Sequence, residues 1–192
     1  MSLRLIANWK LNGSIEFNDK WVEEFFKNFS SSNSIQIGIA PASIYIDHLR
    51  KAIGDCSIDI GAQNICDEES GAKTGEISAP MIKDLGCKFT LIGHSERRIL
   101  FHESNKRISK KLNQANNNSI IPILCIGEST DENDRNHTYD VLESQIIEAL
   151  KGLNELNSLI IAYEPVWAIG SGKIPNPEEI NTVHKMIKDV VQ

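Results

Sequence analysis

The sequence has no run of about 18 consecutive apolar residues, so nothing in it reads as a membrane-spanning helix. The apolar run at 3–7, followed by Lys10, is too short for the core of a secretory signal, and a cytoplasmic location is expected. Basic residues are outnumbered 20 to 26, giving a net charge of −6, with no basic stripe. That balance argues against a nucleic-acid-binding face, and an anionic substrate would need locally placed cations. Cys56, Cys66, Cys87 and Cys125 form no C-x-x-C pair, and none of the five histidines belongs to an H-E-x-x-H pattern, so no metal site is expected. No G-x-G-x-x-G follows the first strand. The stretch Gly170-Ser171-Gly172-Lys173 fails as a nucleotide loop, with Trp167 where the first glycine is needed and Ile174 where Ser or Thr is needed. No cofactor is implied.

With hydrophobics at 41% and charged residues at 24%, the 192 residues can bury a substantial core. Apolar strand runs lie at 3–7, 35–40, 58–62, 89–92, 120–126 and 159–163. Several are nearly continuous in Ile, Leu and Val, as in parallel strands covered on both faces. Between them lie helical stripes: Val22, Phe25, Phe26 and Phe29 after Ser14; Ile46, Leu49 and Ile53 before Gly54; Leu142, Ile146, Ala149, Leu150 and Leu153. The last stripe, Ile180, Val183, Ile187 and Val190, follows an Asn176 cap, Pro177 and Glu178-Glu179. Six strand–helix repeats make an α/β chain. A closed eight-unit barrel needs about 250 residues, or about 31 per unit, which matches six units here. Residues 1–192 therefore read as a single incomplete domain, a TIM (β/α)8 barrel truncated after about six βα units. A complete six-unit doubly wound sheet is the rival on periodicity alone.

In parallel α/β proteins the loops after the strands share one face, and the chemistry collects there. The residues just past the strands include Asn8, Lys10, Gln63, Asn64, His94, Ser95, Glu96, Glu128 and Glu164. A carboxylate, an imidazole and a lysine leaving separate strands suit proton abstraction beside a carbonyl. Taken singly, each is more often a structural or solvated residue; the joint placement gives them weight. The segment from Glu164 to Lys173 starts rigidly at Pro165, is apolar at Val166, Trp167 and Ile169, and ends in glycines. That pattern fits a lid. The competing reading is a packed surface loop with Trp167 buried.

Five segments carry a family resemblance: Asn8-Trp9-Lys10, the stretch around Thr74-Gly75-Glu76, Gly93-His94-Ser95-Glu96-Arg97-Arg98, Cys125-Ile126-Gly127-Glu128, and Ala162-Tyr163-Glu164-Pro165-Val166-Trp167-Ala168. In order and spacing the chain resembles the triosephosphate isomerases, over about the first three quarters of that barrel. The resemblance implies cofactor-free interconversion of dihydroxyacetone phosphate and glyceraldehyde 3-phosphate. It casts Glu164 as base, His94 as electrophile, Lys10 as positive charge, Asn8 as an orienting group and the Gly170 N–H as a phosphate donor. Ser95 and Glu96 take supporting roles. It also implies a homodimer in which Thr74 meets the partner, although Lys73 replaces an aromatic often found there, and Leu11 and Ser171 depart mildly from the usual residues. In the family, loops after strands seven and eight hold most of the phosphate, and neither falls within these residues. Lost turnover and affinity are therefore expected of the 192 residues alone, with strands one and six left as edges. The alternative is a short binding or assembly module that retains a relic site.

Overall fold

A computed structural model describes residues 3–29, 35–153 and 156–192. Its six strands are β1 (Leu3–Asn8), β2 (Ile35–Ala40), β3 (Ile58–Ala62), β4 (Phe89–Ile92), β5 (Ile121–Ile126) and β6 (Ile160–Tyr163). Strand order follows chain order throughout. Eight helices accompany them: α1 (Ile15–Asn28), α2 (Ile46–Ile53), α3 (Ala79–Asp84), α4 (Ser95–Leu100), α5 (Asn105–Asn117), α6 (Thr130–Asp134), α7 (Thr138–Leu150) and α8 (Pro177–Val191). The residues fall into two compact units, Met1–Leu91 with Gln114–Pro122, and Ile92–Asn113 with Ile123–Gln192.

In the first unit β1 pairs with β2 in parallel from Leu3↔Ile35 to Asn8↔Ala40, and β2 with β3 through Ile37↔Ile58 and Ile39↔Ile60. β3 joins β4 at Gly61↔Phe89. Two strand glycines make room for the Phe89 ring: a Cβ on Gly61 would lie 2.4 Å from it, and one on Gly38 2.8 Å. Ile46, Leu49 and Ile53 of α2 are buried, and Gly54, at φ 63°, ends that helix in a conformation that suits glycine. One sequence expectation changes here. On α1 only Val22 of the expected stripe is buried, and Phe26 is 39% exposed. The helix aromatics instead stack along its flank, Trp21 on Phe25 at 5.0 Å and Phe25 on Phe29 at 4.7 Å. On β1, Leu3 and Leu5 are more than half exposed, in line with the expectation that strand one is left as an edge.

In the second unit β5 and β6 pair in parallel from Ile123↔Ile160 to Ile126↔Tyr163. The Glu164 N–H continues the ladder to the Ile126 carbonyl at 2.7 Å. Leu142, Ile146 and Ala149 of α7 and Val183 and Ile187 of α8 are buried, and the two helices pack on each other. Truncating one of the large members to Ala would cost about 2–5 kcal/mol. α8 opens with a reciprocal Asn176–Glu179 capping box and Pro177 in its first turn, which fixes where the chain re-enters helix after the lid.

Candidate active site

The site is built on two strand ends of the second unit. After Ile92 the chain turns through Gly93 at φ 71°, where a Cβ would lie 2.8 Å from Ile108. The turn delivers His94 to the N-terminus of α4. The Glu96 N–H donates to His94 Nδ1 at 3.2 Å. A backbone donor there requires a lone pair on Nδ1, which assigns the ring proton to Nε2. Nε2 stands 3.3 Å from Glu164 Oε1, with the two side chains only 11% and 19% exposed. The other carboxylate oxygen accepts the Ser95 N–H at 3.3 Å. A carboxylate is thus held beside an N–H donor in a largely dry setting, where an electrostatic contact is stronger than in water.

Arg98 sets the approach to this pair. Its Nε donates to the Gly93 carbonyl at 2.7 Å, Nη2 to the Cys125 carbonyl at 3.1 Å and Nη1 to Asn105 at 2.6 Å. Burial lowers the Arg98 guanidinium from its usual value, and Cys125, Glu103 and Glu164 oppose that shift. Burial, and then the Glu164 carboxylate, push the Cys125 thiol well above its ordinary value, so a protonated thiol borders the carboxylate.

The segment after Glu164 is fastened at its start. The Val166 N–H donates to the Glu128 carbonyl at 3.2 Å, and a 3-10 turn spans Val166–Ala168. Trp167 Nε1 and the Tyr163 hydroxyl both donate to Glu128 Oε1, at 2.7 and 3.0 Å. Glu128 is fully buried, and its charge adds to burial in raising the Tyr163 phenol above its usual value. Trp167 is therefore partly buried, as the packed-loop reading has it, yet the distal half is open. Ile169 is 50% and Ile174 91% exposed, while Gly170 and Gly172 take φ of 67° and 76°. The segment thus has an anchored entry and an exposed tip with two glycines, the features on which the lid expectation rests. Behind it lies a hollow of about 750 Å³ lined by Glu128, Tyr139, Tyr163, Trp167, Glu179 and Val183. It touches neither His94 nor Glu164.

His94, Ser95 and Glu164 thus come together, whereas Glu96 contributes its backbone N–H and an exposed carboxylate 3.6 Å from His94 Nδ1. Gly170 lies at the open tip of the lid. Asn8, Lys10 and Thr74 belong to the first unit. There Asn8 Oδ1 accepts the Lys10 N–H at 3.0 Å, and Gln63 Nε2 donates to the Lys10 carbonyl at 2.9 Å, holding exposed Lys10 at φ 52°. A left-handed lysine is an uncommon conformation that functional sites often hold in place. Thr74 is exposed beside Gly75, in a loop closed by the Cys66 N–H on the Ile77 carbonyl and by Lys73 2.7 Å from Glu68. Arg98, Gly127, Glu128 and Trp167 stand in segments that carry the resemblance but have no bonding role assigned from sequence, and Gln145 is not singled out there; their partners lie far apart along the chain. Among the described residues no cluster of His, Cys, Asp or Glu is placed to hold a metal, and no helix is long and apolar enough to cross a membrane.

Comparison with known proteins gives the same direction. The family model described as triosephosphate isomerase matches residues 3–192. A triosephosphate isomerase of Legionella pneumophila (strain Lens) is 38% identical over 193 residues, covering 100% of this chain and 78% of its own. One from Chlamydia muridarum (strain MoPn / Nigg) is 41% identical over 189 residues, covering 98% and 70%. One from Nitrosococcus oceani is 38% identical over 189 residues, covering 97% and 76%.

Proposed function

The chain belongs to the triosephosphate isomerase family, and on that footing we propose that its site interconverts dihydroxyacetone phosphate and D-glyceraldehyde 3-phosphate. The observation that carries the proposal is the 3.3 Å approach of His94 Nε2 to Glu164 Oε1, with Nδ1 occupied by a backbone donor. This family is itself the usual illustration of such a carboxylate–imidazole pair and of lid closure over it. Glu164 removes a proton from the hydroxyl-bearing carbon beside the ketone and returns it to the former carbonyl carbon. Between the two steps the negative charge rests on the oxygens of an enediolate. His94 Nε2–H donates to the oxygen that gains charge, gives it that proton and takes one from the neighbouring hydroxyl, so that the carbonyl and hydroxyl exchange places; a donor already in place stabilises the enediolate more than the ketone. Ser95 steadies the Glu164 carboxylate through its N–H, and Glu96 fixes the imidazole tautomer.

The family reading gives Lys10 the positive charge, Asn8 the orientation of the substrate and Gly170 N–H a place at the phosphate. A closed lid would also keep water from an enediolate prone to expel phosphate. The same reading makes the two units parts of one barrel domain, the protein a cytoplasmic homodimer and Thr74 a residue that meets the partner subunit.

The test is a coupled assay of triose phosphate conversion by the 192 residues, and by the same residues joined at Gln192 to the C-terminal remainder of the Legionella relative. The joined protein is expected to turn over, and the 192 residues to be slower by at least 100-fold. A soluble, folded joined protein without conversion would overturn the isomerase reading in favour of a binding module.

A further inference from the structure

Gln145 lies on α7, outside every segment that carries the family resemblance, yet its amide locks one peptide of the site at two points. The Gly127 N–H donates to Gln145 Oε1 at 3.0 Å, and Gln145 Nε2 donates to the Gly127 carbonyl at 2.9 Å. Gly127 is in turn the surface on which the Glu164 peptide rests. A Cβ at Gly127 would lie 1.9 Å from the Glu164 carbonyl oxygen and 2.9 Å from its carbon. On either side, the Glu164 N–H donates to the Ile126 carbonyl and the Val166 N–H to the Glu128 carbonyl. Any movement of Gly127 is therefore passed to the backbone that carries the carboxylate.

Packing alone does not hold Gly127 in place. A hollow of about 160 Å³ adjoins it, lined by Gly93, Ser95, Ile126, Gln145 and Val166 among others. Without the amide lock, the strand end has room to shift towards Ser95, whose N–H holds the far side of the carboxylate.

We propose that Gln145 is a positioning residue for the Glu164 carboxylate, acting through Gly127; the inference rests on the isomerase reading above. Misplacing a reacting group by about 1 Å costs on the order of 100-fold in rate. Gln145→Met keeps the length of the side chain and removes both bonds. It should lower kcat 10- to 100-fold with KM within twofold, because the lock orients the base and does not touch substrate. Gln145→Glu keeps the acceptor for the Gly127 N–H, loses the donor, and should fall between Gln145→Met and the parent. Ile146→Val, which trims the buried face of the same helix without touching Gly127, should leave kcat unchanged.

The second measurement is by NMR on the same proteins at one fixed pH: the His94 Nε2 shift with Glu164 present and with Glu164→Gln, in each background. The parent should show His94 responding to the Glu164 charge, and Gln145→Met should show that response weakened. An unchanged kcat in Gln145→Met, or an equal loss in Ile146→Val, would overturn the inference. The parent for these variants is the chain joined at Gln192 to the remainder of the barrel; its inactivity would sink the isomerase reading, while the NMR response would still decide the positioning role, and an unchanged response in Gln145→Met rejects it.

Discussion

The strongest electrostatic commitment in the second unit is Glu103, in the connection between α4 and α5. Its side chain is fully buried, as is that of Lys111, whose Nζ donates to Glu103 Oε1 at 2.5 Å. Arg97 Nε, on a side chain 24% exposed, donates to the same oxygen at 2.6 Å. The Glu103 N–H also donates to the Arg97 carbonyl at 3.3 Å, tying the connection back to the helix that His94 caps. Glu103→Leu would take the carboxylate partner from a buried ammonium and set an apolar side chain in its place, a loss of about 3–5 kcal/mol for breaking a buried pair from one side. Against a typical total of about 5–15 kcal/mol, that is a large share of stability. With a urea m-value of about 2 kcal/mol/M, the unfolding midpoint should fall by about 2 M. The double variant Glu103→Leu/Lys111→Met removes both charges and should recover most of the loss, because a well-packed apolar pair stabilises about as well as a buried ion pair. Circular dichroism during urea unfolding of the parent, both single variants and the double reads the coupling directly. A midpoint for Glu103→Leu within about 0.3 M of the parent (about 0.6 kcal/mol at this m-value), or a double variant as weak as the worse single, would refute the reasoning.

Three further outcomes are expected. Burial pushes Glu103 up, but the Lys111 ammonium and the Arg97 guanidinium outweigh it and hold the carboxyl below its ordinary 4.5. Its contribution is therefore complete above about pH 4.5 and lost as pH falls through the lower folded-state value. Urea midpoints between pH 6 and 3 should show an acid loss that Glu103→Leu diminishes, and an equal acid loss in the variant would contradict this. Gly127→Ala sets a methyl 1.9 Å from the Glu164 carbonyl oxygen, and overpacking of that kind costs about 1–3 kcal/mol or more. Thermal unfolding should show a large drop in Tm, and a Tm within 2 °C of the parent would count against the close approach. Burial raises the Cys87 thiol to about 11, so at pH 8 it should react with a disulfide reagent far more slowly than partly exposed Cys56, as peptide mapping would show.

Three strands, β2, β3 and β4, begin and end where the hydropathy places them, because apolar runs bounded by turns leave little choice of boundary; β1 ends one residue later, and β5 and β6 each begin one residue later. Exposure was less legible. The α1 stripe Val22, Phe25, Phe26 and Phe29 reads as one buried face, yet only Val22 is buried, because burial is decided by what lies against the helix. α5 escaped notice because its lysines mask the buried stripe Ile108, Leu112 and Ala115, and because Lys111, the residue that reads as most solvent-loving, is fully buried. In the site, His94 and Glu164 stood out as reactive types at strand ends. Gln145 did not, since an amide 18 residues from its partner carries no local pattern, and Arg98, although inside a matching segment, gives no sign in sequence of the carbonyl 27 residues away that it holds.

The central claim is that the Glu164 carboxylate moves the proton. The most direct measurement is the kcat of Glu164→Gln for triose phosphate conversion, in the chain joined to the remainder of the barrel. The amide keeps the shape and an acceptor for the Ser95 N–H but cannot take a proton from carbon. The account predicts a fall of at least 100-fold in kcat with substrate binding retained. Activity within about tenfold of the parent, a barrier change of only about 1.4 kcal/mol, would remove Glu164 from that role.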